Sequence, residues 1–216
     1  MKNRQLLLLV IGWLLGLSVS SAQSAKPFRI GLTGGVNAGM IKKRIGVQNI
    51  LWAYNTGVTA EYRFSTAMAL NAQLLYSRQG ETVRNRVLPY EPPSRQIIRF
   101  DYVTLPLMLR FRPIGERAFV QAGGQLGYMV GNSFRVTTQP NQVLPFNHTQ
   151  AVDWGLTGGI GYRLGKHVVV DARYYHGTRS LFRGHNRVDP QTGQVTWVRR
   201  SPWYNRVTSV NLSYYF

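Results

Sequence analysis

Seven charged residues fall on the polar sides of otherwise apolar, alternating segments: Glu61, Arg63, Arg110, Arg112, Arg163, Asp171 and Arg173. Charges that share an interior must pair or reach water, because an unpaired buried charge is costly. The set reads either as a packed ion-pair plug or as a narrow, anion-selective constriction. A second set occupies the longest stretches between those segments. There Lys42, Lys43, Arg44, Arg84, Arg86, Arg95, Arg135, Arg179, Arg183, Arg187, Arg199, Arg200 and Arg206 stand against Glu81, Glu91 and Asp189, a surplus of ten positive charges. Guanidinium forks match phosphate oxygens two at a time, so this set could dock on a phosphorylated surface. The third candidate is His176 with Thr178 two residues on, a general base beside a hydroxyl. Such a pair also needs an acid to orient the ring, and none follows before Asp189, so an interfacial or loop histidine is the competing reading. His148, His167 and His185 lie scattered without metal-ligand spacing, and no cysteine is present. No cofactor is implied.

Where these residues reside depends on the compartment. The chain has 216 residues, of which 26 are Lys or Arg and 8 Asp or Glu, a formal net charge of +18. Lys2 and Arg4 precede an apolar run from Leu6 to about Val19, and Ser20-Ser21-Ala22 offers small residues at a cleavage point. Residues 1–22 therefore read as a removable export signal. The run is shorter than the roughly 20 residues of a spanning helix. Cleavage after Ala22 takes 22 residues from 216, leaving a mature domain, 23–216, of 194 residues; loss of Lys2 and Arg4 lowers the charge by two to +16. Export removes nucleic acid as the natural partner of that charge, and the absence of cysteine removes disulfide scaffolds and a lipoprotein anchor.

Positioning falls to strands. Trp52, Tyr54, Val58, Ala60, Tyr62 and Phe64 share one face of an extended segment while Asn55, Thr59, Glu61 and Arg63 share the other. Equivalent splits recur along the mature chain and make eight strands. In the fourth, Ile98, Phe100 and Tyr102 are apolar on even positions, whereas Val103, Leu105, Leu107, Leu109 and Phe111 are apolar on odd ones. That change of phase predicts a bulge beside Pro106. Gly34-Gly35, Gly123-Gly124 and Gly158-Gly159 fall inside strands and read as bending or packing positions. Connections alternate between short turns and long loops, about Met40 to Ile50, Gly80 to Gln96, Gly131 to Ala151 and Gly177 to Asn205. The expected fold is all-β: an eight-stranded, antiparallel, up-and-down transmembrane β-barrel. Aromatics at both ends of the apolar faces (Phe28, Tyr62, Phe64, Phe111, Tyr162 and Phe216; Trp52, Tyr54, Tyr76, Tyr128, Trp154 and Tyr174) read as two interfacial girdles, which places the apolar face toward lipid. In the last loop, Arg187-Val188 and Val195 to Val198 flank Asp189-Pro190-Gln191-Thr192-Gly193-Gln194 and read as a hairpin.

The stretches Tyr102 to Arg110, Phe119 to Tyr128, Trp154 to Tyr162 and Val170 to Tyr174 resemble the Bacteroidetes outer-membrane β-barrel family, the PorT-like or "porin family" proteins. The resemblance implies an eight-stranded barrel in a Gram-negative outer membrane, with both termini on the periplasmic side, and fixes no biochemical activity. Val210, Leu212, Tyr214 and the terminal Phe216 resemble the signal read by the outer-membrane assembly machinery, an implied partner. Tyr174 to Thr178 is similar to a fragment of outer-membrane lipid A deacylases, with Thr in place of Ser. The function expected is a non-enzymatic envelope component whose basic loops contact lipopolysaccharide phosphates or a partner, accessory to transport or secretion. Of the basic residues, Lys42, Lys43, Arg44, Arg84, Arg86, Arg179, Arg183, Arg187, Arg199 and Arg200 are the expected phosphate contacts. A narrow anion-selective pore and a lipid A acyl hydrolase using His176 are the alternatives.

Overall fold

A computed structural model describes residues 27–42, 49–85, 94–113, 117–136, 139–144, 150–181, 185–188, 195–198 and 203–216, with the side chains of 83–96, 134, 136–149 and 182–202 outside the description. Among the described residues the strands are β1 (Phe28–Lys42), β2 (Asn49–Arg63), β3 (Met68–Asn85), β4 (Ser94–Phe111), β5 (Ala118–Val136), β6 (Gln139–Leu144), β7 (Val152–Arg163), β8 (Val168–Ser180), β9 (His185–Val188), β10 (Val195–Val198) and β11 (Tyr204–Tyr215). Eight of them close on themselves in the order β1-β2-β3-β4-β5-β7-β8-β11, all antiparallel, with β1 returning to β11 from Gly31↔Tyr215 to Lys42↔Tyr204. Closure gives every wall strand two partners and leaves no unpaired edge, as a sheet in hydrocarbon requires. The short strand β6 adds to the far end of β5. β9 and β10 pair separately, Val195↔Val188 to Val198↔His185, so the hairpin read from the last loop forms.

Alternation decides which face is outside, and the apolar face is. Trp52 is 71% exposed and Leu156 66%, and Leu32, Val58, Leu74, Leu105, Ile160 and Val210 point outward with them. The expected girdle aromatics also face outward, Tyr76 half-buried against Tyr54. From Tyr62 to Tyr54 on β2 is eight residues, about 27 Å along the strand at roughly 3.3 Å each. Tilted near 40°, that is about 20 Å of height, close to the roughly 25 Å apolar band of an outer-membrane barrel.

Two expectations need correction. The change of phase in β4 is not a bulge at Pro106: even-numbered residues from Ile98 to Arg112 all face inward, and Leu105↔Leu126 and Pro106↔Gln125 continue the register without a break. The register shifts instead at Asp101 and Tyr102, where β5 carries the extra residue Val130. What changes along β4 is the content of the lumen, from Arg110 and Thr104 at one end to Ile98 and Phe100 at the other. The second correction concerns loop length. β1, β3, β4, β5, β8 and β11 run into the expected long loops, so Lys42, Arg84, Arg95, Arg135, Arg179 and Arg206 stand on strands and Glu81 is buried. Backbone pairing continues past the apolar band, where no lipid remains to impose alternation. Gly80 marks that transition. Its φ is +144°, and a Cβ there would lie 2.0 Å from the Ile98 carbonyl oxygen. Gly35, Gly123 and Gly159 sit equally close to a neighbouring strand's backbone, in keeping with packing positions.

Candidate functional site

The lumen fills in layers, beginning at the short-turn end with one carboxylate and five arginines. Glu61, on the inner face of β2, accepts at Oε1 from Arg29 Nη2 (2.5 Å), Arg163 Nη2 (3.1 Å), Arg63 Nε (3.2 Å) and Arg112 Nη2 (3.3 Å), and at Oε2 from Arg110 Nη1 (2.7 Å). Both Glu61 and Arg110 are wholly buried. Tyr215 of β11 lies in the same layer: its hydroxyl accepts from Arg110 Nη1 (3.0 Å) and Asn71 Nδ2 (3.2 Å), and Arg29 stacks 4.7 Å above its ring. Arg29 was absent from the seven residues singled out in the sequence. Its position between outward Phe28 and Ile30 is the signal that could have found it.

Asp171 and Arg173 form a separate layer deeper in the lumen. Arg173 donates to both oxygens of Asp171 (2.8 and 3.3 Å) and to Gln73 Oε1 (2.8 Å). Asp171 Oδ1 also accepts from Gln121 Nε2 (3.1 Å) and Asn211 Nδ2 (3.2 Å). Gln121 in turn accepts from Arg110 Nε (3.0 Å) and ties the two layers together. Above them come amides and hydroxyls around a buried carboxylate, Asp153: Asn55 donates to Asn37 (2.7 Å), Asn37 and Gln79 to Ser77 (3.0 and 2.9 Å), and Asn205 to Gln79 and to Asp153 Oδ2 (3.4 Å). A cavity of about 20 Å³ remains among Asn37, Gln79, Arg173 and Tyr175, room for about one water by the usual measure. The long-loop end is apolar. Ile41, Ile98, Phe100, Tyr102 and Leu181 pack together inside the wall, with Met129 and Trp203 against them. Sequence reasoning took Ile98, Phe100 and Tyr102 for part of a lipid-facing pattern and so missed this layer.

Among the basic residues of the long-loop end, Lys42 is exposed at the end of β1, Arg179 is half-buried on β8, and Arg206 is buried, donating Nη1 to the Gly177 carbonyl (3.2 Å). Arg84 and Arg187 lie on β3 and β9 with side chains outside the description, and Lys43, Arg44, Arg86, Arg183, Arg199 and Arg200 fall outside the described residues. Below this rim, on the outer wall, Arg78 makes a two-toothed pair with Asp101 (2.7 and 3.2 Å), donates to the Tyr76 hydroxyl (3.2 Å) and stacks on Tyr54 at 5.4 Å. A lipid-side ion pair belongs at headgroup level, so it marks the upper edge of the apolar band. His176 faces outward beside Tyr174, and the Thr178 hydroxyl donates to the Trp154 carbonyl (2.9 Å). No hydrogen bond joins His176 to Thr178 or to a carboxylate among the described residues. The side chains of Val210, Leu212, Tyr214 and Phe216 all project outward from the terminal strand.

A closed wall of eight antiparallel strands, apolar outside and polar within, is the architecture of an outer-membrane barrel. The chain belongs to the family described as outer membrane protein beta-barrel domain, whose model matches residues 21–183. Among solved structures, neisserial surface protein A aligns over 90% of this chain and 100% of its own at 15% identity and a TM-score of 0.51, which shows the shared fold. Ail, the attachment invasion locus protein of Yersinia pestis, aligns over 87% of this chain and 98% of its own at 13% identity, with a TM-score of 0.47. No curated protein matches the sequence. The protein is thus an integral outer-membrane β-barrel.

Proposed function

We propose that this barrel is a non-conducting, non-enzymatic envelope component that works from its long-loop rim, where basic residues engage the phosphates of lipopolysaccharide. The observation that carries the reading is the filled lumen. Stacked ionic, amide and apolar layers occupy the lumen, and the cavity among Asn37, Gln79, Arg173 and Tyr175 holds only about 20 Å³, so activity belongs at the rims. The burial of Arg206 and Glu81 removes one charge of each sign from the expected rim set and keeps its surplus at ten. Phosphate is the densest anionic feature of an outer leaflet, and arginine is the side chain best matched to it. The finer kinship to PorT-like barrels, the export signal at 1–22, the periplasmic placement of the short turns and a part in transport or secretion belong to this same reading.

The test is lipid selectivity. The mature barrel is assembled into nanodiscs containing equal amounts of lipid A and its dephosphorylated form, extracted, and the retained lipid identified by mass spectrometry. Phosphorylated lipid A should be enriched, and replacing Arg179, Arg183, Arg187, Arg199 and Arg200 by Gln should abolish the enrichment. Equal retention of both lipids would refute the docking, and acyl-chain loss dependent on His176 would refute the non-enzymatic reading.

A further inference from the structure

The opposite, short-turn mouth holds a second concentration of charge that the rim function does not use. A basin of about 420 Å³ opens there, lined by Arg29, Arg63, Arg117, Arg163, Gly165 and Lys166. Five of the six lining residues are cationic, and no described residue of the lining is acidic. Glu61 lies beneath it and is already saturated: a carboxylate offers about four acceptor sites, and five guanidiniums reach for them. The five arginines and Glu61 carry a net charge of four, and Arg117 with Lys166 raises it to six. Two guanidinium donors, Arg29 Nε and Arg163 Nε, are buried with no hydrogen-bond partner.

An ion-pair plug built only for stability would approach charge balance, as Asp171 and Arg173 do in the next layer. Here repulsion among the cations is left unrelieved and the surplus faces an open concavity. Arginine forks converging from β1, β2 and β7 present planar donor pairs, and Lys166 adds a mobile point charge at the edge. Relieving so large a surplus favours a group with at least two negative charges and several acceptor oxygens. We infer that the short-turn mouth is a binding site for a phosphate ester, carried either by a phospholipid headgroup of the adjoining leaflet or by a free phosphorylated molecule.

Arg117 and Lys166 are the residues for a test, because both are exposed and the hydrogen bonds that pass through them use their backbone carbonyls: Arg163 N to Arg117 O (2.9 Å) and Arg29 Nη1 to Lys166 O (3.1 Å). The R117Q/K166Q double variant keeps those bonds and the Glu61 cluster. The mature barrel, refolded in an uncharged detergent, is titrated with pyrophosphate at low salt by calorimetry. Binding should weaken about tenfold or more in the double variant, since two charged hydrogen-bond donors to the phosphate are lost. In parallel, a photo-reactive cardiolipin, whose headgroup carries two phosphates and two negative charges, is placed in nanodiscs and reports the lipid source by cross-linking to peptides around 163–168. Cross-linking that pyrophosphate competes away identifies a headgroup as ligand, whereas pyrophosphate binding without cross-linking identifies a free phosphate. The inference is overturned if neither probe binds, or if the double variant binds both as well as the parent does.

Discussion

Replacing Glu61 by Gln removes one negative charge from a layer holding five arginines while keeping the side chain's size. The cost can be worked from the two kinds of pair present. Arg110 and Glu61 are both wholly buried at 2.7 Å, and removing one partner of such a pair costs about 3–5 kcal/mol, because the remaining charge is left uncompensated away from water. Of the other four partners, Arg112 is buried as well but sits at 3.3 Å, whereas Arg29, Arg63 and Arg163 keep 12–28% of their side-chain surface. The three partly exposed pairs contribute at most about 1 kcal/mol each, offset here by mutual repulsion. The loss expected for E61Q is therefore about 3–5 kcal/mol, set by Arg110. Urea unfolding of the barrel in phosphatidylcholine vesicles, followed by tryptophan fluorescence, measures it. R110M should cost less than E61Q, since Glu61 keeps four cations, and E61Q/R110M should recover part of the E61Q loss through a coupling of about 0.5–3 kcal/mol. An E61Q barrel within about 1 kcal/mol of the parent would refute the claim that this carboxylate holds the layer together.

Depth along the wall gives a second expectation. Val58 lies midway between Tyr54 and Tyr62 on the lipid face, so V58R should destabilise by about 2–4 kcal/mol, whereas Y54R at the girdle should add only about 0–1 kcal/mol for the charge itself beyond the lost ring, read against Y54A. Equal charge penalties at the two positions would contradict the placement of the apolar band. In the inner apolar layer, F100A should cost about 3–5 kcal/mol for the cavity it leaves. Planar-bilayer recordings of F100A should nonetheless stay silent, because the amide and ionic layers beneath remain packed. Steady conductance steps from that variant would show that the apolar layer alone closes the lumen.

Strand number, closure and the outward sense of the apolar face were legible because lipid imposes a strict period of two: β2, β7 and β8 carry it across the apolar band, and β11 carries it from Val207 onward. Aromatic placement settled the remaining ambiguity, since alternation alone is the same for a soluble barrel turned inside out. Two things escaped. Where the wall rises above the apolar band, outward residues need not be apolar, and the end of alternation at Gly80 read as the end of a strand. Where the lumen itself becomes apolar, at Ile98 and Phe100, inward and outward residues look alike and the pattern read as slipped. Within the charge set, sequence named Glu61 and four of its five partners, Arg63, Arg110, Arg112 and Arg163. It could not separate them from Asp171 and Arg173, because membership of a layer depends on strand stagger around the barrel, which alternation along one strand does not encode.

The layering also explains why, among the described residues, surplus positive charge lies at the two ends. An eight-stranded barrel has a lumen just wide enough for its own side chains, so a group of uncompensated cations at mid-height would have neither water nor room for counterions; a buried carboxylate above the Asp171 layer, Asp153, is held by the Asn205 amide (3.4 Å). At that depth Asp171 and Arg173 balance one to one and hand their remaining bonds to Gln73, Gln121 and Asn211, neutral groups that satisfy charge without adding any. Toward the short turns the rule relaxes, since the basin admits solvent and anions, and five arginines can share one carboxylate. Toward the long loops the apolar layer of Phe100 and its neighbours ends the polar network and separates it from the cationic rim. The same narrowness that forbids a wide pore thus sorts the chain's positive charge into two anion-facing surfaces, and the functions open to this barrel are those of its ends.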